Sequence, residues 1–252
     1  MADANAPLLC AKALTRRFGG LAAVNAVSLD LHVGEVHALI GTNGAGKSTL
    51  ITLLSGELPA SSGSVQLGGH DIGGWSQARR ARAGMGRSYQ RSTIFPEFSV
   101  LENCRLCAQA ARPRPWAVWE RAARCETSTG IAHEALAAAG LRGDPQQPAG
   151  TLSHGGKRQL EIAMCLATRP RVLLLDEPLA GMGAEETSGM LALLNALKQS
   201  HAILLVEHDM DAVFRIADRI TVMVNGQVIA SDAPQRIRSN REVQLAYLGE
   251  ES

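Results

Sequence analysis

Short runs of consecutive apolar residues alternate with longer amphipathic stretches in much of this chain. Residues 36–40, 172–175 and 202–206 are apolar runs of strand length, and the segments that follow them favour helices. Continuous apolar runs are typical of strands that are buried on both faces of a parallel sheet. The pattern therefore predicts an α/β fold whose core is a mostly parallel sheet flanked by helices.

The first quarter of the chain has a different, β-rich pattern. Residues 29–33 alternate apolar and polar side chains with the period of a half-buried strand, and residues 8–33 as a whole predict short strands around a turn. Val65 and Leu67 stand before a Gly-Gly turn and indicate a further strand. We therefore predict an N-terminal antiparallel β subdomain beside the core.

The middle of the chain is predominantly helical. Residues 99–111 and 131–139 predict helices, and proline-containing stretches follow both of them. We predict that residues 8–94 and 168–252 form the αβ core together with the β subdomain. Residues 95–167 are predicted to form a helical subdomain inserted into that core.

A phosphate-binding pattern lies between the first apolar run and the helix after it. Residues 41–48 read Gly-Thr-Asn-Gly-Ala-Gly-Lys-Ser and fit G-x-x-x-x-G-K-[ST]. Such a loop directs backbone N–H groups and the positive end of a helix dipole toward one anion. Lys47 is suited to reach the β- and γ-phosphates of a nucleoside triphosphate, and the Ser48 hydroxyl is suited to bind Mg²⁺. The predicted nucleotide-binding residues of this segment are Gly41, Thr42, Asn43, Gly44, Ala45, Gly46, Lys47, Ser48 and Thr49.

Acidic residues follow two of the apolar runs directly. Asp176 and Glu177 come after residues 172–175, at the strand end where open α/β sheets bind their ligands. We predict that Asp176 holds the shell of a Mg²⁺ ion and that Glu177 is the general base for an attacking water. His208 ends a neighbouring strand, where both a contact with the γ-phosphate and a structural role fit.

Composition limits the classes of function. The formal charge of +1 favours neither a nucleic acid partner nor a general attraction to anionic membranes. No apolar run approaches the ~20 residues that a transmembrane helix needs, and the N-terminus lacks the basic start of a secretory signal. The five scattered cysteines suit free thiols in a reducing compartment. We predict a cytosolic protein whose link to a membrane comes through a partner.

Further motifs give the chain a resemblance to a known family. Residues 152–156, Leu-Ser-His-Gly-Gly, lie where ATP-binding cassette (ABC) proteins carry their Leu-Ser-Gly-Gly-Gln signature. Gln90 matches the Q-loop of that family, His208 its switch histidine and Phe18 its adenine-stacking aromatic residue. The motifs occur in the family order at about the family spacing. Residues 8–252 therefore resemble one complete ABC ATP-binding domain.

The resemblance implies ATP and Mg²⁺ as ligands and a dimer, of identical or of related chains, as the active form. Two cassettes would close head to tail on two ATP molecules and reopen after hydrolysis. Each ATP would contact the phosphate loop of one subunit and the signature of the other. The residues implied are Ser48, Gln90 and Asp176 at the metal, Glu177, His208 and Gln90 in catalysis, and Phe18, Ser153, Gly155 and Gly156 at the nucleotide.

The chain resembles one subgroup of the family in particular. Residues 95–103, 161–164, 180–182 and 246–249 resemble the ATPases of importers for branched-chain amino acids and for urea or short amides. This resemblance implies a peripheral subunit on the cytoplasmic face of the inner membrane that powers uptake. Its partners would be transmembrane permease subunits and, indirectly, an external substrate-binding protein. Residues 94–98 would receive the coupling helix of a permease.

Two positions depart from the family pattern. Gly156 replaces the usual last glutamine of the signature, and Gly183 replaces the aspartate or asparagine of the D-loop. These departures keep open a weakly hydrolysing nucleotide switch, although the intact Glu177 and His208 argue against it. A lipopolysaccharide-type export ATPase is a further alternative. A DNA-repair or chromosome-organising ATPase is disfavoured, because no coiled-coil heptads separate the motifs.

Overall fold

The computed structural model describes residues 6–89, 93–111 and 125–248. In these ranges the strands are β1 (Leu9–Phe18), β2 (Leu21–Leu31), β3 (Val36–Gly41), β4 (Ser62–Leu67), β5 (His70–Asp71), β6 (Met85–Arg87), β7 (Val172–Asp176), β8 (Ala202–Val206), β9 (Arg219–Val224) and β10 (Gln227–Asp232). The helices are α1 (Lys47–Ser55), α2 (Gln77–Arg82), α3 (Val100–Ala111), α4 (Glu126–Ala138), α5 (His154–Ala167), α6 (Ala184–Leu197), α7 (Met210–Ile216), α8 (Pro234–Arg238) and α9 (Arg241–Leu248). A short 3-10 turn, Ala149–Thr151, precedes α5.

The core is a six-stranded sheet in the order β10-β9-β3-β8-β7-β6. Each neighbouring pair is parallel except β9 with β10, which the Asn225-Gly226 turn joins as an antiparallel hairpin. Helices connect the parallel strands, so the C-terminal ends of these strands meet at one edge of the sheet. The predicted α/β fold with a mostly parallel sheet is confirmed.

The adjacent strands β7 and β8 are buried on both faces. Leu173 and Leu175 pack with the helices α3 to α6 on one side of the sheet. Val172 and Leu174 pack on the other side, in a second core that contains α1 and the β1–β2–β4 sheet. Every residue of β7 and β8 is buried, which explains why these strands appear in the sequence as continuous apolar runs.

The predicted antiparallel β subdomain is confirmed, although its strands are longer than expected. It is a four-stranded sheet in the order β2-β1-β4-β5. Strands β1 and β2 have 10 and 11 residues, and several shifts in their pairing register accommodate this length. Val33 lies beyond the end of β2 and is 49% exposed, because the chain turns at Gly34 with a φ of 89°.

The helices α3, α4 and α5 pack on one another beside the parallel sheet. α4 begins at Glu126, before the predicted start at residue 131. The serine, threonine and glycine in its first turns have low helix propensity, so the sequence did not indicate this earlier start. The short helices α2 and α8 were not predicted from the sequence. The division into a core and an inserted helical subdomain stays a prediction.

Candidate nucleotide-binding site

The predicted phosphate loop connects β3 to α1 and is closely packed from both sides. Gly46 has a φ of 98°, and a Cβ at this position would lie 2.3 Å from the carbonyl oxygen of Ala23 in β2. A Cβ on Gly41 would lie 2.1 Å from the carbonyl oxygen of Met223 in β9. These contacts require glycine at both positions, because any other side chain would push the loop away from its neighbours.

The N-terminus of α1 points into this loop. Its N-cap residue is Gly46, with no side-chain cap and no acidic residue in the first turn, so no carboxylate competes there with an incoming anion. Lys47 Nζ donates to the carbonyl oxygens of Gly41 at 2.6 Å and Thr42 at 3.0 Å. The ammonium group therefore lies over the loop. An uncapped helix start beside a lysine fits a polyphosphate.

Asp176 lies at the C-terminal end of β7 and is 5% exposed. Its backbone N–H donates to Ser88 Oγ at 3.2 Å, and the Ser88 N–H donates to the carbonyl oxygen of Leu174 at 3.0 Å. Burial raises the pKa of Asp176 and the neighbouring Glu177 raises it further, whereas the cations Arg87 and Lys47 lower it. The ends of β3 and β7 thus bring Lys47 and Asp176 into one electrostatic environment.

Glu177 and His208 follow the ends of the adjacent strands β7 and β8. Glu177 Oε1 lies 3.9 Å from His208 Nδ1, and the His208 side chain is 65% exposed. Glu177 has a φ of 50°, in the left-handed region that residues other than glycine rarely adopt. Its N–H donates to the carbonyl oxygen of Val206 at 2.9 Å, which fixes this turn against β8.

The structure gathers Lys47, Asp176, Glu177 and His208 at one edge of the parallel sheet. Gln90, the predicted metal ligand and catalytic residue, lies outside the described residues. The residues of the phosphate loop differ in their exposure to solvent. Asn43, Gly44 and Ser48 are exposed, Gly41, Thr42, Gly46, Lys47 and Thr49 are half-buried, and Ala45 is buried.

Phe18 lies at the end of β1, beside the phosphate loop. It pairs with Leu21 in β2, two residues before Ala23, the residue whose carbonyl oxygen packs against Gly46. The ring is 48% exposed, and the Arg16 guanidinium lies 4.7 Å from its centroid. An exposed aromatic ring near the loop offers a stacking surface for a nucleotide base.

The predicted signature residues form a second group at the start of α5. Ser153 is the N-cap of this helix, and its Oγ accepts the N–H of Gly156 at 3.1 Å. Glu186 in α6 accepts the N–H of Gly155 at 3.2 Å and the Ser153 hydroxyl at 3.4 Å. These residues line a cleft of about 420 Å³ together with Met182 and Glu186. Their described hydrogen bonds run within the first turn of α5 and to α6, and not to the phosphate loop.

Comparisons with known proteins agree with this geometry. Residues 24–180 match the family model described as ABC transporter, and residues 227–252 match a model described as branched-chain amino acid ATP-binding cassette transporter. The chain is 40% identical to the high-affinity branched-chain amino acid transport ATP-binding protein BraF of Pseudomonas aeruginosa, over 97% of this chain and 98% of that protein. The chain belongs to the ABC transporter family.

Two further comparisons also cover nearly the whole of this ABC cassette. It is 38% identical to the corresponding protein LivG of Escherichia coli strain K12, over 97% of this chain and 98% of LivG. The crystal structure of an ABC transporter cassette in its ADP conformation superposes with a TM-score of 0.87 at 29% identity, covering 96% of this chain and 99% of that one. The fold is therefore that of an ATP-binding cassette, whose ligand is a nucleotide. Among the described helices of this chain, none has the length and apolarity to cross a membrane.

The sequence patterns assigned no role to three residues that the structure places at the site of this ABC cassette. Glu207 follows a buried apolar run, as Asp176 does, so the same signal was present in the sequence. Glu186 stands three residues after Gly183, the N-cap of α6, and its Oε2 accepts the Gly183 N–H at 3.4 Å. That spacing is typical of the glutamate in a capping box. No sequence signal marked Ser88.

Proposed function

We propose that this chain is the ATP-hydrolysing subunit of an ABC importer for branched-chain amino acids or similarly small amino acids and amides. The observation that carries the proposal is the near full-length similarity to BraF, a branched-chain amino acid transport ATP-binding protein. The match of residues 227–252 to a model of the same transporter class also supports the substrate class.

The proposed roles follow from the group at the sheet edge. Lys47 and the N–H groups of the phosphate loop bind the β- and γ-phosphates, because this loop offers a positive charge and an uncapped helix start. Glu177 accepts a proton from the attacking water, and His208 contacts the γ-phosphate from the next strand. Their separation of 3.9 Å supports action on one phosphate group. Phe18 stacks on the base.

Mg²⁺ accompanies the nucleotide in this proposal. Ser48 and Asp176, joined by Gln90, supply the oxygen ligands that this ion prefers. A cation at this position would offset burial and the Glu177 charge, both of which raise the pKa of Asp176. When bound, the ion neutralises negative charge on the phosphate oxygens during hydrolysis.

A second cassette completes the pocket in this proposal. Ser153 is exposed at the start of α5, where Gly155 is buried and Gly156 half-buried, and their described hydrogen bonds do not reach the phosphate loop of the same chain. A helix start in that position suits the γ-phosphate of a nucleotide held by a partner subunit. Closure of the dimer on ATP and reopening after hydrolysis would then drive the permease.

The proposed docking site for the permease is the loop before α3. Phe95 and Phe98 stack with their centroids 5.4 Å apart and are 51% and 44% exposed. Asn103, which is fully buried, binds both the N–H and the carbonyl oxygen of Phe95 and so fixes the loop on α3. The N–H of Gly150 donates to the carbonyl oxygen of Pro96 at 2.9 Å. The loop is thereby linked to the turn that leads into the signature.

Reconstitution with permease subunits and a binding protein of a branched-chain amino acid importer tests the proposal. In proteoliposomes containing the complex, we expect ATP hydrolysis that leucine-loaded binding protein stimulates, together with uptake of labelled leucine. The same complex carrying Lys47→Ala should do neither. Hydrolysis that no branched-chain amino acid or short amide stimulates would reject the substrate class. Export of substrate from the vesicles would favour the exporter alternative.

A further inference from the structure

Glu207 is a buried carboxylate that the proposed mechanism does not yet use. It follows the last residue of β8 and is 1% exposed. Its Oε1 accepts the N–H of Leu179 at 2.8 Å, and its Oε2 accepts the N–H of His208 at 3.2 Å. One side chain therefore holds two separate backbone segments, the turn that follows Glu177 and the segment that carries His208.

The turn after Glu177 needs such support. Glu177 adopts a φ of 50°, which costs conformational energy for a residue with a Cβ, so the surrounding structure must hold it. Its own N–H is bound to Val206, and its carbonyl oxygen accepts the N–H of Ala180 at 3.2 Å. The bond from Leu179 to Glu207 fixes the turn between these two points. Glu207 thus helps to maintain the backbone conformation that orients Glu177.

The burial of Glu207 is unfavourable unless its hydrogen bonds compensate for it. Burial raises the pKa of Glu207, whereas the N–H groups of Leu179 and His208 and the nearby His208 ring lower it, and the Glu177 carboxylate raises it again. Hydrogen bonds to an ionised acceptor are stronger than bonds between neutral groups. A carboxylate can accept from both N–H groups with its two oxygens, whereas an amide of the same shape presents one acceptor oxygen and one NH₂ group that can only donate.

We propose that Glu207 is a positioning residue for ATP hydrolysis, which locks the turn after Glu177 to the segment of His208. This inference rests on the proposed ATPase function. Glu207 does not touch the phosphate in this view. It sets the relative position of Glu177, which acts on the attacking water, and His208, which contacts the γ-phosphate, across the 3.9 Å between Glu177 Oε1 and His208 Nδ1. Displacement of reacting groups by about 1 Å lowers rates by about 100-fold.

Glu207→Gln is the main variant, because it keeps the shape and loses one of the two acceptors. We expect kcat for ATP hydrolysis to fall about 10- to 100-fold, while KM and the affinity for a fluorescent ATP analogue change less than about twofold. Asp218→Asn is the matched control. Asp218 Oδ2 accepts the N–H of Val36 at 2.8 Å near the opposite edge of the same sheet, so its loss tests a similar bond far from the site. We expect kcat of this control to stay within about twofold of the wild type.

A double-mutant cycle distinguishes positioning from general structural support. If Glu207 acts partly through His208, the loss caused by Glu207→Gln will be smaller in a His208→Ala background than in the wild type. Rate losses that multiply in the double variant would overturn the proposed link. Glu207→Asp is the second variant in case the glutamine variant does not fold. It keeps the charge but is too short to reach both N–H groups, and we expect a similar loss of kcat.

Hydrogen exchange tests the inference without relying on hydrolysis. In Glu207→Gln, the amides of Leu179 and His208 should exchange faster, while those of the phosphate loop do not change. Unchanged exchange at both amides would overturn the inference even if the protein hydrolyses no ATP. If the wild-type cassette hydrolyses no ATP but these amides exchange faster in the variant, the proposed ATPase function is rejected. The proposed link between the two backbone segments through Glu207 is then retained. Normal turnover in Glu207→Gln would reject the positioning role alone.

Discussion

The carboxylate of Glu186 accepts the backbone N–H of Gly155 at 3.2 Å, at the helix start that is proposed to receive the γ-phosphate of a partner subunit. A Cβ on Gly155 would lie 2.5 Å from the same oxygen, so the carboxylate is packed directly on the helix end. In the single chain a negative charge therefore already occupies the positive end of α5. An incoming phosphate must displace it or share the N–H groups with it.

The first prediction concerns this competition. Glu186→Gln removes the negative charge while retaining a hydrogen-bond acceptor, so ATP-driven dimerisation should become roughly two- to fivefold tighter. Sedimentation velocity in the Glu177→Gln background, where ATP persists, measures the dimer affinity. Glu185→Gln is the matched control, because Glu185 belongs to the same helix turn and is exposed. Weaker or unchanged dimerisation in Glu186→Gln would contradict the competition.

Glu177→Gln tests the proposed general base. The amide cannot accept the proton of the attacking water, so turnover should fall by roughly two to four orders of magnitude. ATP affinity should change little, because the phosphate loop is unaltered. Steady-state hydrolysis and equilibrium nucleotide binding measure the two quantities separately. Nearly normal turnover in this variant would remove Glu177 from its proposed role.

Lys47→Ala tests the phosphate loop itself. Nζ lies over the loop, 2.6 Å from the carbonyl oxygen of Gly41, and the loss of its bonds to phosphate should weaken ATP binding roughly 10- to 100-fold. Titration with a fluorescent ATP analogue measures the affinity. Lys198→Ala removes a lysine that is bound to Asp218, away from the loop, and should leave the affinity unchanged. Equal affinities in both variants and the wild type would refute the loop as the binding site.

The strands that carry the site were predicted from the sequence almost to the residue. β8 has the predicted bounds, and β7 extends the predicted apolar run by Asp176. Strands buried on both faces have an unambiguous pattern, and the residues after them necessarily lie at the ligand-binding edge. The phosphate loop was predictable for the same reason, because its glycines, Lys47 and the following helix occur in a fixed order.

The contacts of Glu186 and Glu207 were not predictable from the sequence. Both residues act through side chains that bind backbone N–H groups of distant segments, 31 residues away for Gly155 and 28 for Leu179. Sequence patterns report the periodicity of local structure and not such distant pairings. The same limit applies to the β1–β2 pair, whose register shifts depend on packing against the rest of the sheet.

Asp176→Asn should stabilise the nucleotide-free protein near neutral pH by a few degrees Celsius in Tm. Burial and Glu177 raise the pKa of Asp176 in the folded state, so the folded protein binds a proton more tightly than the unfolded chain does. The contribution of Asp176 to stability is therefore present at low pH and is lost as the pH rises through the folded-state pKa. The asparagine variant avoids this loss.

Thermal unfolding at a series of pH values measures the effect. The difference in Tm between Asp176→Asn and the wild type should be largest near pH 7.5 and should shrink as the solution is acidified. Glu207, whose pKa burial also raises, is present in both proteins and does not alter the difference. A difference in Tm that grows on acidification would show that the folded-state pKa of Asp176 is lowered. Mg²⁺ with ATP should stabilise the variant less than the wild type.

The last prediction concerns Gly156, where the family signature usually has glutamine. Gly156 belongs to the first turn of α5, and its N–H donates to Ser153 Oγ. A Cβ here would lie 3.3 Å from Leu152 Cβ and 3.4 Å from Ser153 Oγ, distances that small shifts of these side chains can relieve. If glycine weakens this half of the site, Gly156→Gln should raise the turnover of the reconstituted transporter several-fold.

A gain in turnover could also come from helix stability alone, because glycine lowers helix propensity at any position. Gly130→Gln controls for this contribution, since Gly130 lies within α4 and a Cβ there would meet no atom within 4 Å. A rise in turnover for Gly156→Gln, without a rise for Gly130→Gln, would assign the effect to the signature. Unchanged turnover in Gly156→Gln, with ATP hydrolysed at both sites of the dimer, would reject the weakened site and leave Gly156 as a neutral departure from the family pattern.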